Sequence, residues 1–388
     1  METTVIILID GSCLVPDMKG VGLYLYNILQ RIPHINGFRL YVTHISNNVY
    51  RNMPSHENIT YIPVKWVNHW FYAYFAMPIL AYKLNANVIW FPSDLPHLKM
   101  GKATVMSCHG VNMRIRRAHN EAGVETRTLK GTLTQALDEI LWRKSLHGSH
   151  AVLVNSRYVA HWLESKVELP TSKLRYAPCA PALNSKDIHK ARSPRESILR
   201  LYSSREGYIL VFYTGALEEN LQHVLKVYDN VLKARVPHNL LIAGVKSAQK
   251  AHILKLVSPY PWRDRVRIAP FLGPDSRSEL AELYSSASIY IDFSLEEGFG
   301  MQVVEAMACA TPVVCSNRGA LPEVTGGAAL LVSPRNVEDC SAAIVRTLAD
   351  PQLREELVRL GTAQAAMFTW ERTTQIVLDT LIDATRHI

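Results

Sequence analysis

Ile289-Tyr-Ile-Asp292-Phe-Ser294-Leu-Glu-Glu297-Gly298-Phe299-Gly300-Met-Gln-Val-Val-Glu305-Ala-Met-Ala308 is the stretch from which the fold is read. Ile289 to Asp292 is a short apolar run of strand length, a turn with two glycines follows, and good helix formers begin at about Gly300. A strand that passes through a glycine turn into a helix is half of a β-α-β unit. It leaves unpaired backbone N–H groups at the helix N-terminus with the dipole behind them, which is a ready anion site and suits phosphate.

Working outward, the same alternation of short apolar runs with longer helical patterns covers nearly the whole chain. In the first half the predicted strands are Val5 to Ile9, Phe38 to Val42, Ile59 to Val64, Asn87 to Phe91, Thr104 to Ser107, Ala151 to Val154 and Leu174 to Ala177. In the second half they are Tyr208 to Tyr213, Asn239 to Ala243, Val266 to Ala269, Ile289 to Asp292, Pro312 to Cys315 and Ala329 to Val332. Such alternation is the pattern of parallel sheets, and two doubly wound α/β domains accommodate it. Ser185 to Glu206, with six Lys or Arg and little apolar periodicity, reads as the exposed linker between them. The expected domains are therefore residues 1–190 and 206–369.

The composition sets limits on partner and compartment. At 388 residues, 48% hydrophobic and 20% charged, the chain is long enough for two buried cores. Its net charge of +8 is uneven: residues 1–190 carry 21 Lys and Arg against 12 Asp and Glu, and the remainder carries 21 against 22. The basic half should face something acidic. The basic residues are scattered and form no recognised module, which argues against nucleic acid. A nicotinamide dehydrogenase is disfavoured because no G-x-G-x-x-G follows the first strand. Six cysteines without a C-x-x-C pair suggest buried thiols in a reduced compartment, and the N-terminus lacks the layout of a signal peptide, so a cytoplasmic location is expected. The longest apolar stretch, Trp66 to Tyr82, is interrupted by Asn68 and His69 and falls short of the roughly 20 residues a spanning helix needs.

Two carboxylates frame the turn: Glu297 within it and Glu305 about one and a half turns into the helix. So placed, each can accept hydrogen bonds from vicinal hydroxyls, one set near the phosphate and one further along, and sugars present such hydroxyls. Taken singly, each residue has an ordinary explanation: Glu297 as a helix cap, Gly298 and Gly300 as turn formers, Glu305 as a solvated helix residue.

Their combination is more specific. Glu297-Gly-Phe-Gly-(four residues)-Glu305-Ala-Met-Ala-Cys-Ala-Thr-Pro-Val-Val, followed by Gly319-Ala-Leu-Pro-Glu323-Val, resembles the E-x7-E signature of the retaining glycosyltransferases of family 4, which have the GT-B fold. Lys19-Gly20-Val-Gly22-Leu-Tyr resembles that family's N-terminal glycine loop, Ser107-Cys-His109-Gly110 its strand-end histidine, Val154-Asn-Ser156 its mid-chain serine, and Phe368-Thr-Trp370-Glu371 its closing helix. The resemblance implies two facing Rossmann-like domains, with a nucleoside diphosphate sugar held mainly by the second and a carbohydrate or lipid-linked acceptor by the first. It also implies that a C-terminal helix over 370–388 packs back on the first domain. By position, Glu297 would meet donor-sugar hydroxyls with help from the backbone amides of Gly298, Phe299 and Gly300, and Glu305 would bind the ribose. Gly20 and Gly22 would let the first loop approach the donor phosphate, and His109 would face the reacting sugar across the cleft. No Asp-x-Asp pair occurs, so a reaction without metal or other cofactor is expected.

One departure bears on the donor. Where the family supplies an Arg and a Lys to the diphosphate, this chain reads Thr214-Gly215-Ala-Leu-Glu218-Glu219-Asn220-Leu221. A missing charge-assisted hydrogen bond is worth about 1.5 to 3 kcal/mol, more than the roughly 0.3 to 1 kcal/mol of a helix dipole. Either another base, such as Lys246, neutralises the diphosphate or donor binding is weak. If Glu219 stands where the Lys belongs, replacing it by Lys should tighten binding; if the loop is shortened and turned away, the substitution should be silent. A smaller departure is Ala310, where the family has glycine. The aromatic run Trp66 to Met77 has the composition of an interfacial segment, of core, or of acceptor-site lining, so peripheral membrane association is an open expectation. Arg114, Arg116 and Arg117 are either solvated or a contact for an acceptor phosphate. The competing functions are a nucleotide-sugar epimerase or phosphorylase on the same fold, and an inactive donor-binding partner subunit, which the lost bases would suit.

Overall fold

The computed structural model describes residues 4–32, 37–65, 71–95, 97, 101–110, 129–184, 186–188, 196–202 and 207–386. The chain divides into two compact units, Met1–Cys179 with Trp370–Ile388, and Ala180–Thr369.

The first unit is built on seven strands: β1 (Val5–Ile9), β2 (Phe38–Ile45), β3 (Ile59–Val64), β4 (Val88–Phe91), β5 (Ala103–Cys108), β6 (Ala151–Val154) and β7 (Leu174–Tyr176). They run parallel in the order β3-β2-β1-β4-β5-β6-β7. β4 and β6 are buried at every position, as expected of strands covered on both faces. The helix Trp370–Thr385 belongs to this unit. Its Trp370 ring meets Tyr24 edge-on at 5.9 Å, Thr373 Oγ1 donates to Pro178 O, and Glu371 pairs with Arg31 at 2.8 Å.

The second unit holds β8 (Tyr208–Phe212), β9 (Asn239–Val245), β10 (Val266–Pro270), β11 (Ile289–Asp292), β12 (Val313–Ser316) and β13 (Leu330–Val332), parallel in the order β10-β9-β8-β11-β12-β13. Its core gathers apolar residues of these strands with Val224, Tyr228 and Val231 of the helix Leu221–Lys233 and Ile344 of the helix Val337–Ala349.

Each sheet reverses its strand order once, at β1 between β2 and β4 and at β8 between β9 and β11. At such a switch point the loops leaving the carboxyl ends diverge and open a crevice for ligand. All thirteen predicted strands are found. β2 and β9 run longer than predicted, because Thr43 to Ile45 complete their ladder with β3, and β9 continues to Val245 opposite Pro270. The division between units falls at 179/180 rather than in the charged stretch at 185–206. Parts of that stretch are secured within the second unit: Asp187 accepts from Ser278 Oγ at 2.7 Å, and Tyr202 O, ending the helix Glu196–Tyr202, accepts from Asn239 Nδ2 at 3.0 Å. Their polar composition disguised this docking. No disulfide forms among the six cysteines.

Candidate active site

In the second unit the motif forms as a strand, a turn and a helix. β11 ends at Asp292, whose Oδ1 accepts from the N–H and hydroxyl of Ser294 at 3.0 and 2.6 Å. The chain turns through Gly300, which caps the helix Met301–Ala308 at φ +91°, where a Cβ would lie 2.5 Å from Leu321 Cδ2. Only glycine is accommodated there. Gly319 has a matching role: a Cβ on it would come within 2.4 Å of Glu297 O, and its absence lets Ala320 N–H reach that oxygen at 2.9 Å. The backbone of Glu297 is thus pinned from the loop that follows β12.

The Glu297 carboxylate accepts through Oε1 from Gly300 N–H at 3.2 Å, so it lies at the helix N-terminus. Burial, with the carboxylates of Asp292 and Glu219 nearby, pushes its pKa up to about 8 against the opposing pull of the Phe299 and Gly300 N–H groups. The Phe299 ring is buried against Phe368 at 5.3 Å, so only the backbone of that residue can serve a ligand.

Glu305 is 4% exposed, with both oxygens engaged: Oε1 accepts from Ala182 N–H at 3.1 Å and Oε2 from Tyr284 OH at 2.9 Å. Burial raises its pKa, while the charge of Arg277 acts in the opposite direction. Tyr284 is fixed in turn, its carbonyl accepting from Thr311 Oγ1 at 2.6 Å. The Tyr290 ring lies 5.8 Å from that of Tyr284.

The loop after β8 closes the other side of the switch point. Glu219 accepts from the N–H groups of Thr214, Gly215 and Ala216 at 2.7, 3.0 and 3.1 Å and from Thr214 Oγ1 at 2.6 Å. Leu295 N–H donates to Glu218 O at 2.8 Å, and Asn220 Nδ2 donates to Phe293 O and Pro334 O, joining this loop to the one after β11. Glu219 is therefore the clamp of its own loop, whose backbone donors it consumes. That corrects the picture of a carboxylate standing in for a phosphate-binding Lys. Lys246 lies over the Phe271 ring at 5.8 Å, after β9.

In the first unit, His109 follows β5. Its Nε2–H donates to Pro92 O at 2.8 Å, its ring meets Tyr24 edge-on at 4.6 Å, and its carbonyl accepts from Asn155 Nδ2 at 2.9 Å. Burial lowers its pKa to about 4, so at neutral pH it is an uncharged imidazole with its lone pair on Nδ1. Gly20 begins the helix Gly20–Arg31 at φ +31° with open space where a Cβ would be. Gly22 instead faces its own chain, since a Cβ would come within 2.5 Å of Cys13 O. It is needed for packing the preceding turn.

Tyr284 and Arg277 carry no signal in the sequence motif, while Tyr290, Asp292 and Gly319 lie within its quoted stretches without an assigned role. The tyrosines read as ordinary apolar positions of a helix and a strand, and the hydroxyl partner of Tyr284 is distant in sequence. Arg114, Arg116 and Arg117, and residues 66–70 of the aromatic run, lie outside the described residues.

Residues 195–364 match the model of the glycosyl transferases group 1 family. The O-antigen chain mannosyltransferase B of Escherichia coli is 35% identical over 191 residues, 48% of this chain and 49% of that protein, so the match spans about half of each. The sucrose-phosphate synthase of Thermosynechococcus elongatus superposes with a TM-score of 0.74 at 20% identity, over 99% of this chain and 100% of that one. Anabaena HepE in complex with UDP and glucose gives a TM-score of 0.67 at 17% identity, over 98% and 100%. These likenesses show a GT-B fold of two Rossmann-like units, each with a parallel sheet.

Proposed function

We propose that this protein is a retaining glycosyltransferase that moves a hexose from a nucleoside diphosphate sugar to a hydroxyl of a carbohydrate or lipid-linked acceptor. The observation that carries this reading is the placing of Glu297 at the N-terminus of the helix Met301–Ala308, with Glu305 on that same helix. One carboxylate suits the hydroxyls of the transferred sugar and the other the ribose, with the helix N-terminus available to the phosphates. The mannosyltransferase relative and the UDP and glucose complex of HepE support this donor class, with UDP-sugars favoured and GDP-sugars the alternative.

In the proposed reaction the bond from the anomeric carbon to the diphosphate breaks as the acceptor oxygen attacks on the same face. The departing phosphate oxygen takes the acceptor's proton. The protein contributes position and electrostatic stabilisation rather than a covalent nucleophile. Glu297, carrying its proton at neutral pH, donates to a sugar oxygen or accepts through its free lone pairs, and His109 Nδ1 accepts from a sugar hydroxyl. Glu305 takes the ribose by exchanging its bond from Ala182 N–H. Arg277, whose charge acts on Glu305, is assigned to the ribose side of the nucleotide.

Thermal shift with UDP-, GDP- and ADP-sugars, followed by transfer assays and NMR of the product's anomeric centre, tests the reading. A ligand that binds only the native state raises its melting temperature. Stabilisation by one nucleotide series and a product of retained configuration are expected. No stabilisation and no transfer with any of them would overturn it.

A further inference from the structure

The chain from Phe71 to Lys83 is one helical segment, π-wound over Tyr72–Ala76 and α-helical over Met77–Lys83. One face is fixed: Tyr72, Ala73, Met77 and Ala81 are buried, and Tyr72 OH donates to Asp10 Oδ1 at 2.8 Å. The other face carries Phe71, Phe75, Ile79 and Tyr82, which are 47%, 57%, 51% and 80% exposed. The spacing i, i+4, i+8, i+11 makes them a single stripe, and the Phe71 and Phe75 rings stack at 5.6 Å. One exposed apolar residue is ordinary, whereas a contiguous stripe of four, two of them stacked, marks a surface that is covered in use.

Charge indicates what covers it. Residues 58–93 contain no Asp or Glu, and their only charged residues are Lys65 and Lys83, both exposed. Aromatic and branched apolar groups flanked by lysines, with no carboxylate in the segment itself and Asp138 acting on Tyr74 rather than on the stripe, match the boundary between headgroup and acyl chain of an anionic bilayer. The basic groups of a protein partner would find no acid within residues 58–93 to pair with. Among the described residues no helix is long and apolar enough to cross a membrane, which leaves lying on the surface as the mode of contact. The segment joins two parallel strands, β3 and β4, so it returns from the carboxyl edge of the sheet to the amino edge. Its Phe71 end therefore lies on the edge where β5 delivers His109.

We infer that residues 71–83 form an interfacial face by which this protein rests on an anionic lipid bilayer. Flotation with vesicles of phosphatidylcholine alone, or of equal parts phosphatidylcholine and phosphatidylglycerol, tests this. It needs neither donor nor acceptor, so its outcome stands apart from the transfer reaction. The wild type should float with the anionic vesicles and less with the neutral ones. Phe75→Ser with Ile79→Ser should cut the bound fraction at least about tenfold, with an unchanged circular-dichroism melt because both side chains are exposed. Lys65→Glu with Lys83→Glu should weaken only the anionic preference. A wild type that stays unbound to both vesicles, or a serine variant that floats like the wild type, overturns the inference. So does a serine variant that turns a dimer into a monomer by light scattering with vesicle binding unchanged, which would assign the stripe to a second copy of the chain.

Discussion

The carboxyl edges of the two sheets share a topology and differ in how they treat an acid. At the first, Asp10 is buried and satisfied from several directions: Oδ1 accepts from Ser12 N–H and Tyr72 OH at 2.9 and 2.8 Å, and Oδ2 from Ser93 Oγ at 3.0 Å. These bonds tie the loop after β1 to β4 and to the helical segment before it. At the second, Glu219, Asp292 and Glu297 converge, all with raised pKa values, burial being the largest cause in each. Among the described residues, no Lys or Arg is a leading influence on these three. One edge uses a single carboxylate to brace the fold; the other gathers three, of which Glu219 braces its own loop through four hydrogen bonds while Glu297, accepting from Gly300 N–H, keeps lone pairs for polar ligand groups.

The comparison is broken most directly at Glu297. Replacing it with Gln should lower kcat by roughly a hundredfold with a smaller change in KM, because contacts to the reacting sugar strengthen in the transition state. Wild-type kinetics would remove the site assignment. The same variant has a pH signature. With the folded pKa raised to about 8, the native state keeps a proton that the unfolded chain has released, so stability falls as pH climbs from the ordinary carboxylate range toward 8. Glu297→Gln should flatten that fall and melt higher than wild type at pH 8, but not at pH 4.

Glu219→Lys comes next. It removes four hydrogen bonds and sets a cation against three N–H groups, so it should cost about 2 to 3 kcal/mol by denaturant titration and weaken UDP and GDP binding. Tighter binding would restore the view that the position belongs to the phosphates.

Glu305→Gln should weaken nucleoside diphosphate binding by about tenfold with kcat little changed, since ribose contacts act alike in ground and transition states. Calorimetry with UDP and GDP measures it, and Arg277→Gln should weaken the same binding more at low salt than at high salt.

His109→Gln is the mildest in stability. With its pKa lowered to about 4, the native imidazole stays neutral while the unfolded one takes up a proton, so His109 costs stability as pH drops from about 6.5 toward 4. Gln can still donate to Pro92 O and does not titrate, so the variant should lose less stability on acidification. Last, turnover should persist in EDTA. Loss on chelation that Mg2+ or Mn2+ restores would require a different account of the diphosphate.

The strands, their parallel pairing and the strand, turn and helix of the motif were legible from the sequence, because burial on both faces and glycine turns are local signals. So was the placing of Glu297 in the turn and of Glu305 on the helix that follows it, since both positions are set within one local motif. The state of those acids depends on tertiary structure. The pKa of Glu297 is pushed up to about 8 because folding buries it and brings Asp292 and Glu219 beside it, and Glu305 is closed off because Ala182, 123 residues away, donates to it. Glu219 depends on the fold for the same reason: its sequence neighbours suggest a position in a ligand loop, and the turn of the backbone makes its carboxylate fill that loop's own donors. The exposed stripe over 71–83 divides in the same way. Composition showed that the run was aromatic, but which rings entered the core and which faced outward was decided by where Tyr72 found Asp10.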